Sequence, residues 1–298
     1  MDPAVHYDHG TTLAFGGVEA QTPFDEAWAV VLPVPYEQTT SYVTGTRNGP
    51  REILAASSQV ELWDEETSTE VLASGVHTLP EMCLPAGDGP GAPAIAEIRR
   101  VVGELARHNK FLAFLGGEHS ITAPIVDALA QRTPGLSVLQ IDAHADLRDQ
   151  YQGSRYSHAC AMRRVLERVP GTQVAIRSLS REEAEALPSL PTRIFYDVNM
   201  RRDRAWMDRV VEGLTDRVYL TIDCDGFGPA LMPAVGTPEP GGLSWHETLD
   251  LLRRLFATRH VIGCDIVELC PIPGLVAPNV TCARLLAKIL TYRFLKRA

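Results

Sequence analysis

Four short apolar runs decide what this chain can become: 111–117 (FLAFLGG), 136–141 (LSVLQI), 218–223 (VYLTID) and 261–268 (VIGCDIVE). Each is too short for a buried helix, and each reads as a strand covered on both faces. Between them lie stretches with apolar residues at helical spacing, such as 97–109, where Ile98, Val101, Val102 and Leu105 share one side. Strands alternating with helices give an α/β chain with a mostly parallel sheet covered on both faces. Several strands end in Gly, Asp, His or Glu, along the rim where open α/β sheets bind ligands.

In chain order, residues 1–26 read as an N-terminal arm or surface segment. A strand over 28–32, ended by Pro33, leads into a loop rich in Tyr, Thr and Gly, 36–49. A loop directly after an early parallel strand is placed to wall a site. Pro50 suits the first turn of a helix over 51–57. Segment 75–94, rich in Gly and Pro, is expected to be irregular. A helix is expected over 121–130 with Pro124 in its first turn. After strand 136–141 come a polar loop to about 157, a helix near 158–169 and a strand 172–177. Helix 181–188, strand 193–197 and helix 203–213 follow, then strand 218–223 and an irregular loop, 229–242. Helix 245–258, strand 261–268 and helix 280–294 close the chain. No linker interrupts 28–296, so residues 1–298 read as a single domain.

Composition removes some classes of function. A net charge of -9 gives no support to nucleic-acid or anionic-membrane binding. No run of 18 apolar residues offers a membrane span, and the N-terminus, with Asp2 and Asp8, does not read as a signal peptide. The six Cys form no CxxC pair and read as reduced thiols of a cytoplasmic protein.

The strand ends carry the chemistry. In 138–146 (VLQIDAHAD), Asp142, His144 and Asp146 occupy every second position, which is one face of an extended segment. His119 follows 111–117, and Asp223 and Asp225 close 221–225 (TIDCD). Each alone has a plainer reading: a loop hydrogen-bonder for His119, a cap or turn brace for the two Asp. Together, two imidazoles and four carboxylates in one cleft repel unless cations compensate. A pair of divalent ions sharing some carboxylates fits that count. The donor mixture suits Mn, Fe, Zn, Co or Ni, and the lack of Cys argues against a thiolate zinc site. A water between two such cations loses its proton near neutral pH, so hydrolysis of a polar carbon or phosphorus centre is the natural use. His158 could relay protons beside that water. Glu268, pushed into the cleft, needs a cationic partner such as a guanidinium or amine. Asp265 could point the opposite way and brace the sheet.

In this order, 116–119 (GGEH), 142–146 (DAHAD), 156–160 (YSHAC), 221–225 (TIDCD), 236–242 (GTPEPGG) and 265–268 (DIVE) resemble the motifs of the ureohydrolase family, which contains arginase and agmatinase. The match runs over roughly 28–296. Glu37 and the segment 44–49 (TGTRNG) look more like the agmatinase branch. The resemblance implies a three-layer α/β/α sandwich around an eight-stranded parallel sheet, assembled as a homotrimer or homohexamer. It also implies two Mn ions. His119, Asp142, Asp146 and Asp223 would hold one, and Asp142, His144, Asp223 and Asp225 the other, with Asp142 and Asp223 bridging. His158 matches the proton-relay His, Glu268 the guanidinium acceptor, and Asp146 the group that passes a proton to the departing amine.

The implied reaction is hydrolysis of a guanidino group to urea and an amine, with agmatine giving putrescine in polyamine biosynthesis. Aminopropylagmatine, guanidinobutyrate, arginine and formiminoglutamate are the alternatives within the same chemistry. A substrate bearing a carboxylate would need a basic partner, and Arg47 and Arg148 lie in rim loops. Two positions depart from the family pattern. Gly228 replaces the last Asp of D-x-D-x-x-D-P, and Cys270 replaces the Asn that follows the substrate Glu by two residues. A mononuclear zinc deacetylase and an inactive scaffold homologue are the competing readings.

Overall fold

The computed structural model describes residues 13–70, 72, 75–85 and 92–296. The strands are β1 (Ala29–Val34), β2 (Trp63–Asp64), β3 (Thr69–Glu70), β4 (Val76–Thr78), β5 (Phe111–Gly116), β6 (Leu136–Ile141), β7 (Gly171–Ile176), β8 (Thr192–Tyr196), β9 (Arg217–Asp223) and β10 (His260–Val267). The α-helices are α1 (Gly49–Ser57), α2 (Ala92–Leu105), α3 (Thr122–Ala130), α4 (Ala161–Val165), α5 (Arg181–Ala186), α6 (Asp197–Met200), α7 (Trp206–Glu212), α8 (Trp245–Thr258) and α9 (Ala277–Leu295). β2 and β3 form a small antiparallel hairpin. The other eight strands make one parallel sheet in the order β4-β1-β5-β10-β9-β6-β7-β8.

Successive residues of a strand serve opposite faces of a sheet, and here each face has its own core. Ala113, Leu115, Ile141, Leu220 and Ile222 pack with Ile53 of α1, Val210 of α7, Leu252 of α8 and Leu286 of α9. Leu112, Phe114, Val138 and Tyr219 turn the other way, onto Ile98 of α2, Ile125 of α3 and Val165 of α4. Strands covered on both sides must be apolar at odd and even positions alike. That is why the central runs show no alternation. Each Val, Leu, Ile or Phe among them, fully buried, contributes about 1.5–3 kcal/mol. The result is the three-layer α/β/α arrangement that the resemblance implied.

Several boundaries differ from the sequence reading for identifiable reasons. β1 does not stop at Pro33 but runs through it to Val34, with Pro33 paired in register with Leu115. The N–H that proline lacks would face β4, and that ladder has already ended at Val31–Thr78. Segment 75–94 is not wholly irregular. It contains the edge strand β4, α2 begins at Ala92, and residues 86–91 lie outside the described residues. The helix expected near 158–169 is a 3-10 turn, His158–Cys160, followed by the short α4. The β2–β3 hairpin had no recognisable signal in the sequence. Of the N-terminal segment, 13–26 is described: the Phe15 N–H donates to Thr78 Oγ1 (3.0 Å) and the Gly16 N–H to Ser57 Oγ (2.9 Å). Among the described residues no helix is long and apolar enough to cross a membrane.

Candidate active site

The chain lays down β1 and β5 on one side of the sheet and crosses to β6, and the late strands β9 and β10 then fill the space between. The C-terminal ends of β5, β10, β9 and β6 therefore lie side by side at a point where strand order reverses, the usual place for a ligand crevice. Each end delivers one group of the candidate residues. His119 opens the 3-10 turn after β5, Asp142 follows β6 directly, Asp223 ends β9 with Asp225 in the next 3-10 turn, and Glu268 follows β10.

Two glycines let these ends approach. A Cβ at Gly117 would fall 2.1 Å from the carbonyl oxygen of Tyr36, and one at Gly226 would fall 2.8 Å from the Asp142 nitrogen. Two of the ligand-bearing positions also carry backbone strain. Asp146 has φ 53° and Glu268 φ 64°, in the left-handed region that L residues rarely adopt. Such conformations cluster where side-chain direction matters more than local stability.

The six residues named from the sequence converge into two nests. The Nδ1 of His119 lies 3.1 Å from Asp142 Oδ2, 3.2 Å from Asp146 Oδ2 and 3.2 Å from Asp223 Oδ2. The Nδ1 of His144 lies 2.9 Å from Asp225 Oδ2 and 3.7 Å from Asp142 Oδ1. Asp142 thus presents one oxygen to each nest. His119, Asp142 and Asp223 form one group with metal-binding geometry, and Asp142, His144 and Asp225 the other. Asp223 turns Oδ2 to the first nest while its Oδ1 accepts the Asp225 N–H (2.8 Å), and an oxygen with a second lone pair leaves the shared position that the resemblance implied open to it.

Do these residues fit a metal? His119 is buried, yet its Nδ1 has no hydrogen-bond partner despite three carboxylate oxygens close by. A nitrogen aimed between oxygens rather than at one of them is a ligand atom facing a central point. With bonds of about 2.1 Å, neighbouring ligands of one ion lie about 3 Å apart, the spacing seen around this nitrogen. The other ring nitrogen, Nε2, is 2.9 Å from Thr221 Oγ1 and fixes the ring. Thr122 and Tyr219 donate to Asp265 Oδ2 (each 2.8 Å) below it, so Asp265 does brace the sheet.

Electrostatics lead to the same conclusion. Two carboxylate charges about 4 Å apart repel by about 4 kcal/mol at an effective dielectric near 20. Burial and repulsion from Asp225 and Asp146 push Asp142 up to about 8. Burial, with Asp225 and Asp142, raises Asp223 well above the carboxylate range. Against the burial penalty, the Asp225 carboxylate pulls His144 up to about 11 and His144 holds Asp225 down to about 2. Without cations the cluster can persist only by retaining protons. Divalent cations would replace them.

A cavity of about 290 Å³ opens over both nests. His158 and Glu268 line it with the nests, as do Ser41 of the 36–49 loop, Tyr151, Ser178 and Glu183. One oxygen of Glu268 accepts the His119 N–H (2.7 Å). Burial and the Asp223 and Glu118 charges push its carboxyl well up, so a cation there would be welcome. Of the two arginines considered for a carboxylate-bearing substrate, only Arg148 lines the cavity, stacked over Tyr151 (5.0 Å) with its Nε 3.9 Å from Glu183. Arg47 is turned onto Glu37 (3.2 Å).

Three supporting groups escaped the sequence reading. Arg177, just beyond β7, donates to the carbonyls of Asp225 (2.6 Å), Glu239 (3.1 Å), Phe227 (3.2 Å), Pro240 (3.0 Å) and Ala175 (3.0 Å). It fastens the loop that carries Gly228. Glu118 lay inside the GGEH motif, and only its neighbour His119 was singled out. Thr39 sits in a loop whose composition did not distinguish it. Cys270 turns away from the cavity and donates to the Thr44 carbonyl (3.3 Å).

Known proteins resemble this chain over most of its length. The chain is 42% identical over 284 residues to the N(1)-aminopropylagmatine ureohydrolase of Synechocystis sp., covering 92% of each. It is 34% identical to the agmatinase of Pyrococcus horikoshii, covering 88% of this chain and 90% of that protein. The crystal structure of agmatine ureohydrolase of Thermoplasma volcanium superposes with a TM-score of 0.85 at 31% identity, over 96% of both chains. The arginase family profile matches residues 27–293, nearly the span of the sheet and its helices, and the chain belongs to that family.

Proposed function

We propose that this protein hydrolyses the guanidino group of a linear guanidinoalkylamine to urea and an amine, using two Mn ions. His119, Asp142, Asp146 and Asp223 would hold one ion, and Asp142, His144, Asp223 and Asp225 the other. When bound, the pair would supply a water ionised near neutral pH. The observation that carries the reading is the placement of Glu268 in the same cavity as both nests. Its second oxygen is left to accept from a guanidinium and to hold the guanidinium carbon against the metal nests. His158 takes up and returns a proton at the cavity wall, and Asp146 passes one to the departing amine. The cavity lining also carries Tyr151, Ser178, Ser180 and Glu183, whose oxygens accept the Leu147 and Ser180 N–H groups beside Arg148, so the reading of an amine tail rests on the relatives.

Agmatine and its aminopropyl-extended form are the two leading substrates. The relative named for the extended substrate is the more similar of the two curated proteins compared above, at 42% against 34%. That favours aminopropylagmatine. A urea-release panel with Mn present, covering agmatine, aminopropylagmatine, arginine, guanidinobutyrate and guanidine, is expected to show the highest kcat/KM for the extended amine. Preference for guanidinobutyrate would instead assign Arg148 to carboxylate binding. No urea from any of them would leave the scaffold reading standing.

Replacing Glu268 by Gln is expected to raise KM about 10- to 100-fold, the value of one charged hydrogen bond, with metal content unchanged. Substrate titration and metal analysis check both parts. An unchanged KM would remove Glu268 from guanidinium recognition.

A further inference from the structure

The wall of the cavity behind His158 carries a chain of hydrogen bonds whose direction can be read from its donors. Glu118 is fully buried. Its Oε2 accepts the backbone N–H of Gln38 (2.7 Å) and of Thr39 (2.6 Å). Its Oε1 accepts the hydroxyls of Thr39 (2.7 Å) and Ser120 (2.6 Å). Four donors fill the acceptor sites of a carboxylate, which has no proton of its own to give. The single hydroxyl proton of Thr39 is therefore committed to Glu118.

Towards His158, Thr39 offers only lone pairs. One accepts the backbone N–H of His158 itself (2.9 Å), and Oγ1 also lies 3.1 Å from the ring Nδ1. Two atoms at that distance without a proton between them would repel. Nδ1 must be the donor. Among the described residues, the other hydroxyl near Nδ1 is Ser157 Oγ at 3.5 Å, at the outer limit of a hydrogen bond. Tyr151 meets the ring edge to face, with centroids 6.2 Å apart, and restricts its rotation from the cavity side.

We propose that Glu118 and Thr39 are positioning residues that hold His158 as the Nδ1–H tautomer and keep its Nε2 lone pair free for the cavity. The assignment deepens the proposed function and rests on it for the role of His158 as proton carrier. Nε2 takes one proton to give an imidazolium, the Nδ1–H bond to Thr39 persists throughout, and the same Nε2 proton is given up afterwards. A ring locked in the opposite tautomer would present a proton where the reaction needs a lone pair.

The test uses protein with 15N-labelled histidine, loaded with diamagnetic Zn2+, with the His158 ring signals assigned by their loss in His158→Gln. The wild type is expected to show Nδ1 protonated and Nε2 bare. In Glu118→Gln the side-chain amide donates to Thr39, whose hydroxyl is then free to donate to Nδ1. The tautomer is expected to invert. Thr39→Val removes the acceptor and Thr39→Ser keeps it. Valine is expected to lower kcat by about 10- to 100-fold, a share of what a placed proton carrier supplies, with KM unchanged, while serine retains wild-type kcat and tautomer. Should Glu118→Gln fail to fold, the serine and valine pair decides. A wild-type ring protonated at Nε2, or a valine variant with wild-type tautomer and kcat, overturns the assignment. A wild type with Nδ1–H that releases no urea would leave the assignment standing and overturn the function.

Discussion

Asp225→Ala is expected to release urea at least about 10³-fold more slowly than the wild type, more than the loss of one transition-state donor costs, and to bind one divalent ion fewer per chain. Asp225 is the carboxylate closest to His144, at 2.9 Å, and without it the second nest loses the one carboxylate it does not share with the first. His144 and carboxylates already engaged with the first ion hold a second divalent ion poorly against water. The fold is expected to survive the loss of the one buried bond the side chain accepts, from the Ala143 N–H to Oδ1 (3.0 Å), which costs about 1–3 kcal/mol, because the remaining bonds here come from the backbone. The Asp225 N–H still donates to Asp223 Oδ1 (2.8 Å), and Arg177 still grips its carbonyl (2.6 Å). Asp225→Asn keeps the shape and removes the charge, and it should behave like alanine if charge is what holds the ion. Urea assays at saturating substrate, metal analysis and circular dichroism together read the outcome. Unchanged metal content, or wild-type turnover, would sink the assignment of the second nest.

Asp225 also marks how much of the site was legible beforehand. Residues that end a buried strand with a charge are conspicuous, because an apolar run that stops on Asp or His has no packing reason to do so. That logic found His119, Asp142, His144, Asp146, Asp223, Asp225 and Glu268, and the structure brings all seven to the same rim. It also gave the parallel sheet, since strands buried on both faces read as continuous apolar runs. It could not find Thr39 or Arg177. A threonine in a polar loop and an arginine after a strand are ordinary surface residues until the fold brings Glu118 or five carbonyls beside them. It also misplaced the end of β1. Proline ends a strand only where a neighbour needs its N–H, and which neighbour has already ended is a property of the sheet rather than of the segment. Register and hydrogen-bond direction are long-range facts, and short motifs do not carry them.

Divalent ions are expected to stabilise the protein more at alkaline than at acidic pH, and the sign follows from the charges in the nests. Asp142, pushed up to about 8, keeps in the folded state a proton that the unfolded chain gives up near 4. Its contribution therefore lowers stability as pH rises through that interval. His144, pulled up to about 11, contributes stability that is fully present below about 6.5 and is lost as pH rises towards its folded value. Asp225 acts the other way only below about 4, since its folded value is about 2. Between about pH 6 and pH 8.5 the metal-free fold thus weakens with rising pH, while metal binding, which displaces these protons, strengthens. Free Mn2+ at a hundred times its Kd adds about 2.7 kcal/mol. At about 2.1 cal/mol/K per residue, a chain of 298 residues shifts by about 1.6 °C per kcal/mol, so Tm should rise by about 4 °C. Thermal melts of chelator-treated protein with and without Mn2+, at both pH values and at one ion concentration, are expected to give the larger rise at the higher pH. An equal or smaller rise there would mean that the buried protons and the ions do not compete for the same oxygens and nitrogens, and the nests described here would not be the binding site.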